Sequence, residues 1–307
     1  MNFAPPASRA QQQSVRLSAI PQRESLIETP SAAALGPTVL LGMPHLSLRG
    51  VSENWLLKEC GHRHWFMIAA AAGLPAPDFR DADGEPVYAA FCAATIRNAK
   101  FGALSEHDEL SFSSSLARIS RTQFVSIHKL TCFGREVGEV ELVSVFVKRR
   151  EKGKNRSITR IALTGFPAVE RRLEFGHAAG IAAMIRADRW TEHFGFLRAG
   201  AREDAQLTIR PCPSQDFNGA GFLYFAAFQS FVDRAEWELL AMPALAHLTT
   251  AARHVIYHGN IEPGDRVVVK LLGQRCDEDL LSHWFQIARE DGAAKLADVF
   301  TLRQRQP

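Results

Sequence analysis

Asp216 and Asn218 stand two residues apart in SQDFNGAGFLYFAAFQSFVDRAEW (Ser214 to Trp237), where a small polar segment runs into a phenylalanine-rich stretch with almost no charge. An acid and an amide at the mouth of an apolar helix can work on a carbonyl. The carboxylate takes a proton or attacks. The amide and the free N–H groups of the helix N-terminus hold the negative charge that develops on oxygen. Gly219 and Gly221 would let backbone approach closely. The plainer reading is an Asx-turn and an N-cap, for which Asp and Asn are equally suited, and the two readings are compatible. Tyr224 falls in the first turn of the expected helix and points to the site or to the core.

A second group of reactive types lies in GMPHLSLRGVSENW. His45 can act as acid or base. Ser47 can donate a hydrogen bond or accept an acyl group, and Arg49 can pair with a free carboxylate. Singly they read as a turn histidine, a strand-end serine and a surface arginine; His45, Ser47 and Asn54 together form a candidate cluster. In HGNIEPGD, Gly259 and Asn260 mark a tight strand connection, with Arg253, His258 and Arg266 nearby as groups for phosphate. His62 and His64 are two apart, so a helix sends them to different faces and they make no metal pair. The basic run Arg149 to Ser157 reads as a solvated loop or a phosphate patch.

The elements that must position these groups follow from periodicity. A strand is expected at Val39–Leu41. Ser52 caps a helix, Gly61 interrupts it, and a second helix runs from about His62 to Ala72. Four strand-like runs follow to about Val147, with a turn at Phe133-Gly134-Arg135. A helix is expected around Ala178 to Ala187 and a strand at Gln206–Arg210. A long helix runs from about Gly221 to Leu240, with Phe222, Phe225, Gln229, Val232, Ala235 and Leu239 as its core stripe. Four more strands end the chain.

The two halves repeat this order. Asp108 matches Asp265, His128 matches His283, and Val145-Phe146 matches Val299-Phe300. Each unit is one helix followed by antiparallel strands, which a curved sheet wrapped around an apolar helix satisfies. The expected division is a mobile tail over 1–35, rich in Ala, Pro, Gln and Ser, a first unit over 36–170, a helical linker over 171–204 and a second unit over 205–307.

Composition bounds the partners. Of 307 residues 46% are apolar, and 36 basic against 33 acidic residues leave a net charge of +3, which argues against nucleic acid. Five scattered cysteines with no zinc spacing read as reduced thiols. No apolar run reaches membrane-spanning length, and the N-terminus has no signal-peptide pattern, so a cytoplasmic protein is expected.

The strand, the D-x-N-G turn, the LYFAAFQSFVDRAEW helix and the following RHVIYHGNIEPGDRVVV resemble hot-dog-fold acyl-thioester enzymes. Two such units in one α+β chain look like a double hot dog, two antiparallel sheets each wrapped around a long central helix. Together with GMPHLSLRGVSENWLLKECGHRHW, the pattern is similar to the leinamycin-type bifunctional acyltransferase/decarboxylase family and its biosynthetic-cluster relatives. That resemblance covers residues 38 to 305. It implies decarboxylation of a (methyl)malonyl-type thioester and transfer of the acyl group to an acyl carrier protein in polyketide-type biosynthesis. Coenzyme A or phosphopantetheine thioesters would be substrates, with no metal or other cofactor, and a homodimer is possible. Asn218 would then hold the enolate and His45 or water would supply a proton. The runner-up is a thioesterase with Asp216 activating water, since in thioesterase members of the hot-dog fold an acid in this region serves as nucleophile or general base. A dehydratase is disfavoured, since in HxxxGxxxxP terms Gly50 comes one residue late after His45 and the proline is missing. The reading from a different class is a non-catalytic module that binds an acyl carrier.

Overall fold

The computed structural model describes residues 14–15, 36–166, 168, 176–240, 247–292 and 294–305. The tail expected over 1–35 falls outside them, apart from Ser14–Val15, which pair in parallel with Ala162–Leu163.

The first half runs β1 (Thr38–Leu40), α1 (Glu53–Ala71), β2 (Tyr88–Arg97), β3 (Glu109–Arg118), β4 (Gln123–Cys132), β5 (Arg135–Arg149) and the short β6 (Ile158–Arg160). After α2 (His177–Arg186) the order recurs as β7 (Ala205–Ile209), α3 (Phe225–Leu240), β8 (Leu248–Tyr257), β9 (Val267–Asp277), β10 (Leu280–Arg289) and β11 (Lys295–Arg305). In space the strands lie β7-β9-β10-β11-β8-β2-β5-β4-β3-β1, with β6 paired to β5. The halves are thus mirror orders joined by antiparallel pairing of β8 with β2, so the two expected sheets form one continuous sheet.

The repeat reaches individual hydrogen bonds. Asp108 Oδ2 accepts from Ser105 N at 2.8 Å just before β3, and Asp265 Oδ2 accepts from Glu262 N at 2.9 Å just before β9. At the β4–β5 hairpin, Phe133 (φ 48°) and Gly134 (φ 71°) take the two left-handed positions of a two-residue turn.

Alternation along β2, β5, β8 and β11 divides their side chains between two apolar layers. Ala94, Val140, Leu142, Val255 and Val299 face the central helices, packing with Leu57 of α1 and Phe228 and Phe231 of α3. On the other face, Val143, Val145, Ile256 and Phe300 pack against Ala178, Ala182 and Ile185 of α2. Strands covered on both faces lose the polar half of their pattern, which is why β5 reads as VELVSVFV. The segment expected to be a linker therefore supplies a third layer over the seam of the two halves.

α1 corrects the expectation of two helices broken at Gly61: it is a single helix with Ser52 as N-cap. Gly61 is there for space. A Cβ on it would lie 2.8 Å from Cζ of Phe225, so glycine lets α1 and α3 cross closely. His62 is exposed, whereas His64 is buried, with Nδ1 2.7 Å from Ser126 Oγ and Nε2 2.7 Å from Ser144 Oγ. Burial, with His128 nearby, holds the His64 imidazole well below its usual pKa and keeps it neutral. No described helix is long and apolar enough to cross a membrane.

Candidate active site

A cavity of about 750 Å³ opens where the mouth of α3 meets α1, the start of β2 and the end of β8. Its wall is apolar and rich in aromatic rings, among them Trp65, Phe91, Phe222, Phe225 and Phe228. Polar groups reach it at Lys58, Arg160, Arg186, Asn218, Tyr224 and His258.

The segment before α3 is built on Asn218. Its Oδ1 accepts from Ala220 N at 3.1 Å and Phe222 N at 3.0 Å, and its own N donates to Phe222 O. Phe217 and Leu223 pair across the resulting loop. The expected Asx-type turn is present, and with the amide oxygen fully used, Nδ2 has no partner among the described residues. Gly221 sits at φ 75°, a backbone region that favours glycine, and Gly219 is on the cavity wall with nothing within 4 Å of where a Cβ would lie.

This loop displaces the start of the long helix. α3 begins at Phe225, not near Ala220 or Gly221, because the left-handed Gly221 and the Phe217–Leu223 pairing are incompatible with helix. Tyr224 accordingly precedes the first turn instead of lying in it. Its ring lines the cavity with Lys58 Nζ 5.5 Å from its centroid, and burial raises the pKa of its hydroxyl.

Asp216 does something else. It ends the short helix Pro213–Asp216 and its Oδ2 accepts from Cys212 N at 2.7 Å, closing that turn, while its carbonyl accepts from Tyr224 N. It is not on the cavity wall, although its neighbours Gln215 and Phe217 are. It therefore caps a different helix from the one expected.

Both halves fix the loop. Asn260 accepts from Leu223 N at 2.9 Å and donates to Leu223 O at 3.1 Å, so Asn260 and Gly259 belong to the wall as a backbone clamp. From the first half, Asn155 Nδ2 donates to Gly221 O and to Ile261 O, both at 2.7 Å. Arg149 donates to Asn155 Oδ1 and to Ala220 O, and its guanidinium lies 3.9 Å from the Phe222 ring centroid. Part of the basic run is thus internal scaffold, and Arg156 pairs with Asp265 through two contacts of 2.7 Å.

The structure does not bring the first-half loop to this cavity. His45 Nδ1 accepts from Gly42 N at 2.9 Å and its ring lies 4.7 Å from that of Trp55. Ser47 Oγ donates to the carbonyls of Arg49 and Gly50, each at 3.2 Å. Arg49 meets His247 at 2.7 Å. Asn54 Nδ2 donates to Ser230 Oγ at 2.8 Å on α3. Of the sequence-derived residues, Asn218, Gly219, Tyr224, Gly259 and Asn260 converge on the wall; Asp216, Gly221, His45, Ser47, Arg49 and Asn54 do not line it.

One wall residue, His258, was not singled out for catalysis. His258 Nε2 lies 2.8 Å from Oδ2 of Asp298. Asp298 is 1% exposed and is also held by Lys295 Nζ at 2.9 Å and Trp284 Nε1 at 3.2 Å. Burial pushes its carboxyl up, but the His258 hydrogen bond and the Lys295 ammonium outweigh this and leave its pKa below the usual value. An ionised carboxylate only accepts, so Nε2 carries a proton, and in the neutral imidazole the basic nitrogen is Nδ1. The legible signal was an Asp inside KLADVF, an acid with apolar neighbours on both sides in the chain.

Solved structures share this architecture. An acyl-ACP thioesterase from Bacteroides thetaiotaomicron matches 87% of the chain and 96% of its own length at TM-score 0.54 and 10% identity. A Lactobacillus plantarum protein described as an oleoyl thioesterase matches 88% and 94%, at TM-score 0.59 and 12% identity. The 12:0-ACP thioesterase from Umbellularia californica matches 88% and 93%, at TM-score 0.56 and 9% identity. The chain is a double hot dog. At these identities the likeness shows the fold alone. No protein-family model matches the chain, and no curated protein sequence matches it.

Proposed function

We propose that the protein hydrolyses an acyl thioester, on coenzyme A or an acyl carrier protein, bound in this cavity. The observation that carries the reading is that one apolar cavity is lined both by the mouth of α3 and by His258, whose Nε2 is held from behind the wall by Asp298. The acyl group lies against the aromatic wall. The thioester carbonyl meets Asn218 Nδ2 and the leading N–H groups of α3, which have no partner within the helix. Nδ1 of His258 takes a proton from water, the hydroxide adds to the carbonyl carbon, and the tetrahedral intermediate expels the thiolate. The imidazolium, steadied by Asp298, returns the proton to sulfur. The fold likeness to thioesterases supports the reaction class by analogy.

A second reading is decarboxylation of a malonyl-type thioester with acyl transfer to a carrier, which the sequence resemblance implies. It draws support from Lys58 and Arg160 on the wall, cations suited to a substrate carboxylate.

The test is incubation with simple acyl-CoAs and with methylmalonyl-CoA, with and without acyl carrier protein, read by mass spectrometry. Free acid and coenzyme A in equal amounts support hydrolysis. Propionyl groups on the carrier support the second reading instead. No turnover of any thioester overturns both.

A further inference from the structure

Arg186 closes an opening in the sheet. Pairing between β2 and β8 ends at Ala93↔Ile256, and a register irregularity in β2 between Phe91 and Ala93 displaces Cys92. Past that point Cys92 and Tyr257 carry carbonyls that no longer serve the β2–β8 ladder. Arg186, the last residue of α2, donates Nε to Tyr257 O at 2.9 Å and Nη2 to Cys92 O. Its guanidinium therefore crosses from the outer helical layer into the gap between the halves.

The cavity passes through the same gap. Its wall includes Phe225, Phe228 and Tyr257 from the inner layer, and Cys92, Val145 and Val147 from the outer one, with Arg186 between them. No carboxylate pairs with Arg186 among the described residues. Two carbonyl dipoles do not neutralise a full charge against an apolar wall, and a guanidinium presents its remaining N–H groups as a fork suited to a carboxylate.

We infer that Arg186 is a carboxylate-binding residue, and that the preferred acyl groups carry a carboxylate away from the thioester, as in half-thioesters of short dicarboxylic acids. The identity of the substrate as a thioester rests on the proposed function; the anion site does not.

Glutaryl-CoA and valeryl-CoA have five-carbon acyl groups that differ in the terminal carboxylate. The wild-type protein should favour glutaryl-CoA in kcat/KM by about tenfold or more, the scale of one charge-assisted contact. Arg186→Gln should abolish the preference, and Arg186→Lys, which keeps the charge but not the fork, should retain part of it. A purely structural Arg186 would lower both substrates alike and leave their ratio unchanged, which overturns the inference, as does a wild-type preference for valeryl-CoA. Thermal melts confirm that both variants fold. If neither thioester is turned over, calorimetric titration with free glutarate and valerate decides. Tighter glutarate binding that is lost in Arg186→Gln sustains the anion site while the thioester reading fails; equal binding of the two acids refutes it.

Discussion

Asn155 and Gly221 join the two halves at the rim of the cavity: Asn155 Nδ2 donates to Gly221 O at 2.7 Å, and the same nitrogen reaches Ile261 O. Asn155 is 1% exposed, so neither carbonyl would find water in its place. Asn155→Ala should cost about 1–3 kcal/mol, the range for leaving a buried polar group unsatisfied. Urea denaturation measures this. Because Arg149 also leans on Asn155, KM for thioester substrates should rise as the Asn218 loop loosens; an unchanged KM would mean that the clamp serves stability alone.

His258 should separate chemistry from folding. It lies at the end of β8, and His258→Ala removes no core side chain. If it is the base, kcat falls by about 10²–10⁴-fold, more than the loss of one hydrogen bond to buried Asp298, which Lys295 and Trp284 still hold, would explain through folding. Asp298→Asn should also lower kcat, because an amide can present its NH₂ to Nε2 and permit the wrong tautomer. A His258→Ala variant with wild-type kcat would remove this residue from the mechanism.

Gly61 tests the crossing of α1 and α3. Helix propensity alone favours Gly61→Ala by about 0.5–1 kcal/mol. The added methyl would meet Phe225 Cζ at 2.8 Å and Cε1 at 2.9 Å, in a ring that is itself packed on Phe91. Overpacking costs about 1–3 kcal/mol, so the net effect should be destabilising. Since Phe225 lines the cavity, thioester turnover should drop with stability, and a more stable variant would show that the ring can yield.

The sequence patterns that were legible are those with a period. The strands from β2 to β5 and from β8 to β11 fall where runs of β-branched and aromatic residues between turn signals place them, and the repeat follows because both halves use the same order around a helix. The misreadings occur where one contact overrides local preference. Gly61 looks like a helix break until Phe225 is set against it. Asp216 and Asn218 look like one cap, yet Asp216 ends a four-residue helix too short to show a period and Asn218 shapes the loop beyond it. His258 and Asp298 lie forty positions apart and meet only through the β8–β11 pairing. Arg186 meets the cavity by crossing from one layer to another, which no window along the chain reports.

The ion cluster between α3 and β8–β11 should set the acid limit of the fold. Glu236 Oε2 lies 2.6 Å from His283 Nε2 and 2.8 Å from Arg303 Nε, while Asp233 meets Arg253 at 2.7 Å and Arg303 at 2.8 Å, with Glu53 3.3 Å from Arg253. Burial pushes the Glu236 carboxyl up, and Arg303 and His283 overcome it, bringing its pKa to about 2 from an ordinary 4.5. A carboxyl depressed in the folded state contributes stability that is full above pH 4.5 and is lost as pH falls towards 2. His283 is buried, which lowers its pKa below the ordinary 6.5 despite Glu236, so acid also favours the unfolded chain, where this imidazole can charge. Both effects have the same sign, and the urea midpoint should fall steadily from neutral pH to pH 3. Glu236→Gln should be destabilised at pH 7 by about 3–5 kcal/mol, because it leaves buried Arg303 short of a partner. Its stability should then fall less between pH 4.5 and 3 than that of the wild type, because the titrating group is gone. Parallel pH profiles for the two proteins would place the acid sensitivity elsewhere.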